Sequence, residues 1–376
     1  MKVIGIIAEY NPFHNGHIYQ IKKIKEQFPD SIIIAIITTC FTERGDISII
    51  NKWNKTKICL DNNIDIVLEF PTAYTIQSAD IFAEYGLKLL NEFKIDYLSF
   101  GTETDNTDLF QKLATIQLNN IKYQEDVKKF LKDGLNYPTA MSKALEKYSE
   151  TKIIKPNDIL ALSYIKEIIK NNYKIKPLSI KREDNYHDLK NKDIIVSANQ
   201  IRNEFINNKS IDKYLPKEEI NLLYKNISLN NILPYLKYKI YESITLDDIQ
   251  YITEGIDKRL IKEINNVNTW EELTYKIKSK RHTYNRINRS LIHILLNIKE
   301  NINNETPYIK ILGFNKKGQS YINKIKKDIK LPMYYKYKPN LNKIYDIENR
   351  TTRIYSLIVN DKELISNEYK NKPIIK

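Results

Sequence analysis

An α/β fold, with a largely parallel sheet followed by a mostly α-helical domain, is what this sequence predicts, and three observations predict it. Short β-branched runs alternate with helix-length segments over the first 180 residues. The opening runs are apolar almost throughout, as expected of strands covered on both faces. After about residue 205 such runs become rare and helical periodicity takes over.

The strands come in order as Val3–Ala8, Ser31–Thr38 (SIIIAIIT), Asp65–Phe70 (DIVLEF), Tyr97–Phe100 (YLSF) and Ile175–Ile180 (IKPLSI). Between them lie helical patterns at about 16–27, 49–62, 77–94 and 123–149. Strand, helix, strand in repetition means βαβ units with right-handed crossovers. Ligands of such sheets sit at the C-terminal ends of the strands. Farther on, Trp270–Lys280 and Arg286–Lys299 read as helices, with Ile287, Leu291, Ile294, Leu295 and Ile298 on one face. Residues 329–350, with two prolines and several tyrosines, read as a loop or an extended strap. Two domains are expected, 1–205 and 206–376.

Composition narrows the function. Residues 1–150 carry 17 basic against 20 acidic side chains, whereas 151–376 carry 43 against 26, so the whole excess of +14 comes from the later part. A one-sided basic half points to a polyanion, most commonly nucleic acid. Cys40 and Cys59 form no CxxC pair and are too few for a disulfide framework, which favours a reducing compartment. The apolar run ending at Glu9 is short for a secretory signal. Ser31–Phe41 is about half of the ~20 residues a membrane span needs. The expectation is a cytoplasmic protein with no membrane partner.

The first strand leads into Glu9-Tyr10-Asn11-Pro12-Phe13-His14-Asn15-Gly16-His17, and a helical pattern follows at once. A helix N-terminus offers free N–H groups and partial positive charge to phosphate. Gly16 leaves room for close approach. His14 and His17 can donate hydrogen bonds to phosphate oxygens and stabilise charge on an attacked α-phosphate. With 5 histidines in 376 residues, two flanking one glycine here are a candidate catalytic pair. Later, Ser197-Ala198-Asn199-Gln200-Ile201-Arg202 precedes a helical pattern, so Ser197 and Arg202 form either a plain helix cap or a second phosphate cradle.

The His-x-Gly-His turn resembles the HxGH signature of the nucleotidyltransferase superfamily, a Rossmann-like fold, and Ser197–Arg202 resembles its ISSTxIR element. Further islands narrow the match: RGD at Arg44–Asp46, KW at Lys52–Trp53, QSAD at Gln77–Asp80, FGTE at Phe100–Glu103, PNDIL at Pro156–Leu160 and KRED..YHD at Lys181–Asp188. EG...RL at Glu254–Leu260, KSKRHTYNRINR at Lys278–Arg289 and LGFNKKG at Leu312–Gly318 complete them. Together they resemble the bacterial tRNA(Met) cytidine acetate ligases over nearly the whole chain.

That resemblance implies activation of acetate by ATP as acetyl-adenylate. The acetyl group then passes to N4 of the wobble cytidine of elongator tRNA(Met), giving N4-acetylcytidine. The implied ATP site is Ile7-Ala8-Glu9-Tyr10-Asn11-Pro12-Phe13-His14-Asn15-Gly16-His17-Ile18-Tyr19-Gln20, with Gly101, Asn157 and Arg182. Mg²⁺ is the expected companion of ATP, without a carboxylate cage of its own. The expected tRNA contacts are Lys278, Lys280, Arg281, Tyr284, Arg286 and Arg289, which combine cations for phosphate with a ring for an unpaired base. Asp46 and Glu103 are candidate bases for the transfer step. The chain departs from the family pattern at Thr39-Cys40, where the family has Gly-Asn, and at Glu43, where it has Gln. Two rivals stand beside this reading: a small-metabolite adenylyltransferase, and a non-catalytic tRNA-binding protein on a nucleotide fold.

Overall fold

The computed structural model covers the 376-residue chain. It describes all of it except residues 150, 152, 183–186, 189–192, 217, 244 and 254 and the side chains of 187, 188, 193 and 194. Most of the KRED..YHD island and the Glu254 of EG...RL therefore lie outside the described residues.

Nine strands are described: β1 (Val3–Ala8), β2 (Ile32–Thr38), β3 (Ile66–Phe70), β4 (Tyr97–Thr102), β5 (Lys176–Lys181), β6 (His187–Asp188), β7 (Asp193–Ile194), β8 (Ile311–Phe314) and β9 (Ile374–Ile375). Seven form one sheet in the order β5-β4-β1-β2-β3-β8-β9, and β6 pairs with β7 separately. β1 to β5 run parallel, as the alternating pattern predicts. β2 is apolar from Ile32 to Ile37 because both its faces are covered. Ile33, Ala35 and Ile37 join one core with the helices Asn15–Gln27 and Lys52–Asp61. Ile32, Ile34 and Ile36 join the other with Ala79–Glu92 and Pro156–Lys170.

The strand order has a consequence for function. From β1 the chain moves one way to β2 and β3, then returns to the opposite side of β1 for β4 and β5. The order reverses between β1 and β4, and the crevice beyond their C-terminal ends is where ligands of such sheets bind. The His-x-Gly-His turn and Gly101 both lie at that crevice.

Some elements differ from expectation. The expected helix 123–149 is two, Ile121–Lys132 and Tyr137–Ser149, divided where Gly134 takes a φ of 87°. Helices Thr107–Asn119 and Pro156–Lys170 are additional. The segment 329–350 is a strap only to Asn342, which caps the helix Lys343–Ile358. Residues 206–376 are mainly helical but also supply β8 and β9 to the sheet, β8 lying antiparallel on β3. Among the described residues no helix is long and apolar enough to cross a membrane.

Candidate active site

Beyond β1 the chain passes through Tyr10, with φ 44°, and a cis Asn11–Pro12 peptide before His14 opens the helix Asn15–Gln27. His14 is extended, with φ −146°, and caps that helix. Its Nδ1 accepts the Gly16 N–H at 3.1 Å, and the Nδ1 of His17 accepts the His14 N–H at 3.1 Å. This is a reciprocal capping box made of two imidazoles. A ring nitrogen that accepts holds no proton, so each neutral ring carries its hydrogen on Nε2. Gly16 serves this arrangement directly: a Cβ there would lie 2.8 Å from Cε1 of His14, whose ring folds over it.

Both rings are neutral near pH 7. Burial, helped by the charges of Arg182 and Arg202, lowers His14 from 6.5 to about 3. Burial, then His14 and Arg182, push His17 well below its ordinary value. The rings lie 3.9 Å apart, centroid to centroid. Each keeps an Nε2–H donor that no described residue accepts. Two uncommitted donors at a helix N-terminus, on a strand-order reversal, are suited to an anionic oxygen.

The turn is held from three sides. The Asn11 side chain donates to the Ile47 carbonyl at 3.1 Å and accepts the Ile49 N–H at 2.8 Å. Lys55, 1% exposed, donates to the carbonyls of Glu9 (2.8 Å) and Thr38 (3.0 Å) and so ties the ends of β1 and β2 together. Burial lowers this ammonium to about 8. The Phe13 N–H donates to Oε1 of Glu219 at 2.9 Å, and burial holds that carboxyl well above the usual range. Nothing local marks Lys55 or Glu219, whose roles exist only after residues far apart in sequence have met.

Candidate phosphate groups surround the donors. Ser197 is the N-cap of the helix Ala198–Ile206, its hydroxyl accepting the Gln200 N–H at 3.2 Å. From that helix Arg202 donates to the Asn11 carbonyl at 2.8 Å and faces Asp46 at 3.4 Å. Arg182 follows β5 and donates its backbone N–H to the Thr102 carbonyl at 2.8 Å. Its stem crosses Gly101, with Cγ 3.1 Å from where a Cβ would stand, so this glycine makes room for Arg182. Among the described residues the Arg182 guanidinium has no ion pair.

Glu103 and Asp158 lock two loops together. Glu103 accepts from Asn157 Nδ2 at 2.6 Å and from the Asp158 N–H at 3.1 Å, while Asp158 accepts the N–H groups of Glu103 (3.0 Å) and Thr104 (3.1 Å). Both Glu103 oxygens are thus engaged in positioning, and among the described residues no group donates to Asn157 Oδ1. Within the helix after the turn, Gln20 donates to Ser99 Oγ at 3.1 Å and Asn15 to the Lys213 carbonyl at 3.0 Å. Cys40 is buried and burial raises its thiol, which leaves it a poor nucleophile.

The expected tRNA contacts divide in two. Lys278, Lys280, Arg281 and Tyr284 are exposed. Arg286 donates to Thr253 Oγ1 at 2.8 Å. Arg289 turns inward and pairs with Glu43 at 2.7 Å, its side chain 11% exposed. The Glu43 carboxylate, the acidic departure noted in the sequence, therefore faces a cation across the interface.

The pattern of the HIGH Nucleotidyl Transferase family matches residues 1–370. A tRNA(Met) cytidine acetate ligase of Caldicellulosiruptor saccharolyticus is 34% identical over 100% of this chain and 98% of its own length. One of Fusobacterium nucleatum is 39% identical over 86% of this chain and 85% of its own. Among solved structures, Thermotoga maritima TmcAL bound with alpha-thio ATP superposes with a TM-score of 0.88 at 26% identity, covering 100% of this chain and 99% of that one.

Proposed function

The chain belongs to the HIGH nucleotidyltransferase family and, within it, to the tRNA(Met) cytidine acetate ligases, and from that premise we infer how its own residues divide the work. It is an ATP-dependent ligase that makes acetyl-adenylate and passes the acetyl group to N4 of the wobble cytidine. Its substrates are ATP, acetate and elongator tRNA(Met), and its place of work is the cytoplasm, where uncharged and charged tRNA circulate.

The nucleotide lies in the crevice between β1 and β4. Asn157 Oδ1 accepts a hydrogen from adenine or ribose, and the α-phosphate sits on the helix N-terminus before His14 and His17. An acetate oxygen attacks phosphorus, a new O–P bond forms, and the bond to the β-phosphate's bridging oxygen breaks. Negative charge grows on the equatorial oxygens, where two preorganised Nε2–H donors meet it. Removing one such donor typically costs about 10²–10³ in rate. Arg182 and Arg202 neutralise the triphosphate; Arg202 exchanges part of its contact with Asp46 for phosphate. In the second step the cytidine amine bonds to the acetyl carbon and gives up a proton to solvent, while the bond from that carbon to the phosphate oxygen breaks and AMP leaves. Placement of an already single-stranded anticodon base supplies much of that acceleration, since positioning effects reach ~7–11 kcal/mol.

Among the described residues no three His, Cys, Asp or Glu side chains gather as for a metal ion. Mg²⁺ accompanying ATP would supply neutralisation of charge on the leaving pyrophosphate, and no residue of this chain is assigned to hold it.

The observation that carries this reading is the pair of Nδ1 acceptors that leaves both Nε2–H groups outward. Its test is exchange of labelled pyrophosphate into ATP, with and without acetate, followed by mass spectrometry of nucleosides from the treated tRNA. Acetate-dependent exchange and N4-acetylcytidine in elongator tRNA(Met) alone are expected. Exchange driven by another small acid, or none, would favour the metabolite adenylyltransferase or the binding protein.

A further inference from the structure

Arg44 of the RGD island remains without a role in the chemistry above. Thr39 to Ile49 form a tight hairpin after β2, closed by the Phe41–Ile47 bridge and by the Thr42 N–H on the Asp46 carbonyl, where the distance is 2.9 Å. Its tip sits flush on the helix Tyr284–Leu296. Gly45 has φ 84°, and a Cβ there would lie 3.2 Å from the Arg289 nitrogen and from the Asn288 carbonyl carbon. Both acidic side chains of the tip are committed to cations from elsewhere: Glu43 to Arg289 at 2.7 Å and Asp46 to Arg202 at 3.4 Å. On its other side the hairpin is zipped to the His-x-Gly-His turn through Asn11, and the Glu43 N–H donates to the Glu9 carboxylate at 2.8 Å.

These contacts fix where the remaining charged group points. Arg44 is exposed, and no described residue gives it a hydrogen bond or an ion pair. It stands between the basic stretch Lys278–Arg289 and the turn bearing His14 and His17. The hairpin touches both the helix that follows the exposed Lys278, Lys280 and Arg281 and the turn itself, so a polynucleotide that engages those cations and reaches the turn would pass its tip. A guanidinium placed there meets the backbone, not the base, and Arg holds phosphate with a planar fork.

We propose that Arg44 is a positioning residue for the tRNA, holding a backbone phosphate beside the wobble nucleotide while its base reaches the acetyl-adenylate. The proposal rests on the function above and adds a contact to it. Arg44→Ala and Arg44→Lys are compared with the unaltered enzyme in acetylation of tRNA(Met) transcript over a range of salt. Acetate-dependent pyrophosphate exchange, which uses no tRNA, is measured beside them. Arg44→Ala is expected to raise the KM for tRNA about tenfold, the size of one lost charge-assisted hydrogen bond. The slope of log affinity against log salt should become shallower by about 0.7–0.9, one phosphate's share. Arg44→Lys should restore the slope but only part of the affinity. Exchange should be unchanged in both.

An unaltered KM and slope would overturn the proposal. So would a loss of exchange, which would assign Arg44 to ATP instead. Absence of exchange in the unaltered enzyme would defeat the proposed function, and the salt slope of direct tRNA binding would still decide Arg44.

Discussion

Two clusters of buried charged and titratable groups lie at the same end of the sheet, and they differ in what they leave unpaired. One is the turn with His14 and His17. The other joins Lys52, Glu69, Lys310, Glu348 and Glu368, none more than 4% exposed. In the second, Lys52 bonds Glu69 at 2.5 Å and also Glu368, and Lys310 bonds Glu368 at 2.6 Å. Tyr308 donates to Glu69 at 2.5 Å, Thr352 to Glu368 at 2.9 Å, and the Thr72 N–H to Glu348 at 2.7 Å. Burial opposes ionisation of Glu368, yet Lys310 and Lys52 hold it down to about 2, while burial raises Glu348. Here cations and anions neighbour one another inside the protein, although Glu348 Oε1 meets Lys52 only at 3.7 Å and has no hydrogen bond among the described residues. At the histidine turn the backbone takes one nitrogen of each ring and leaves the other facing out. Burial and charge are common to both clusters; the two ring nitrogens left open beside a helix N-terminus are what distinguishes the histidine turn.

The largest expected effect breaks the first cluster's function. Replacing His14 and His17 together by Ala should lower acetate-dependent exchange by about 10³ or more. Stability should fall by only about 1 kcal/mol for the lost cap, as read from urea midpoints. Lys52→Met should do the reverse. It strands buried carboxylates and costs about 3–5 kcal/mol in urea unfolding, while the folded fraction keeps its KM for ATP. A large change in that KM with intact stability would erase the contrast between the two clusters.

Acid titration sharpens it further. Unfolded histidine protonates near 6.5, whereas His14 does so near 3, so from pH 6.5 downward the unfolded chain binds more protons. That part of the stability is present at pH 7 and lost as pH falls through this window. Glu368, lowered to about 2, acts in the same direction only below about 4.5. Urea midpoints between pH 7 and 5.5 should therefore drop, and less steeply in His14→Gln, whereas Glu368→Gln should leave the slope in that range alone. The smallest effect belongs to Glu43→Gln. It keeps an amide oxygen for the inward-turned Arg289 guanidinium and should cost about 1 kcal/mol, read from the same denaturation curves.

Local sequence made the first cluster visible and hid the second. β1 to β5 were legible because apolar runs such as Ser31–Thr38 admit little else, and the two histidines stood out by their spacing around Gly16. β8 was not. Four residues, Ile311–Phe314, inside helical surroundings give no period to count, and only the free edge of β3 makes them a strand. Glu219 meets Phe13 across 206 positions of sequence. Arg289 looked like a surface cation because the Glu43 that receives it lies on another element. Gly16 was read as room for a close approach, and in the structure the His14 ring lies over it, as the Arg182 stem lies over Gly101.

The second cluster also sets an order on synthesis. Lys52 and Glu69 emerge early, Lys310 and Glu348 much later, and Glu368 near the end of these 376 residues. Until that last carboxylate is out of the ribosome, Lys52 and Lys310 lack the Glu368 oxygens that both of them bond. The packing of β3 and β8 against the final helices is therefore completed last, after β1 to β5 and the histidine turn have emerged.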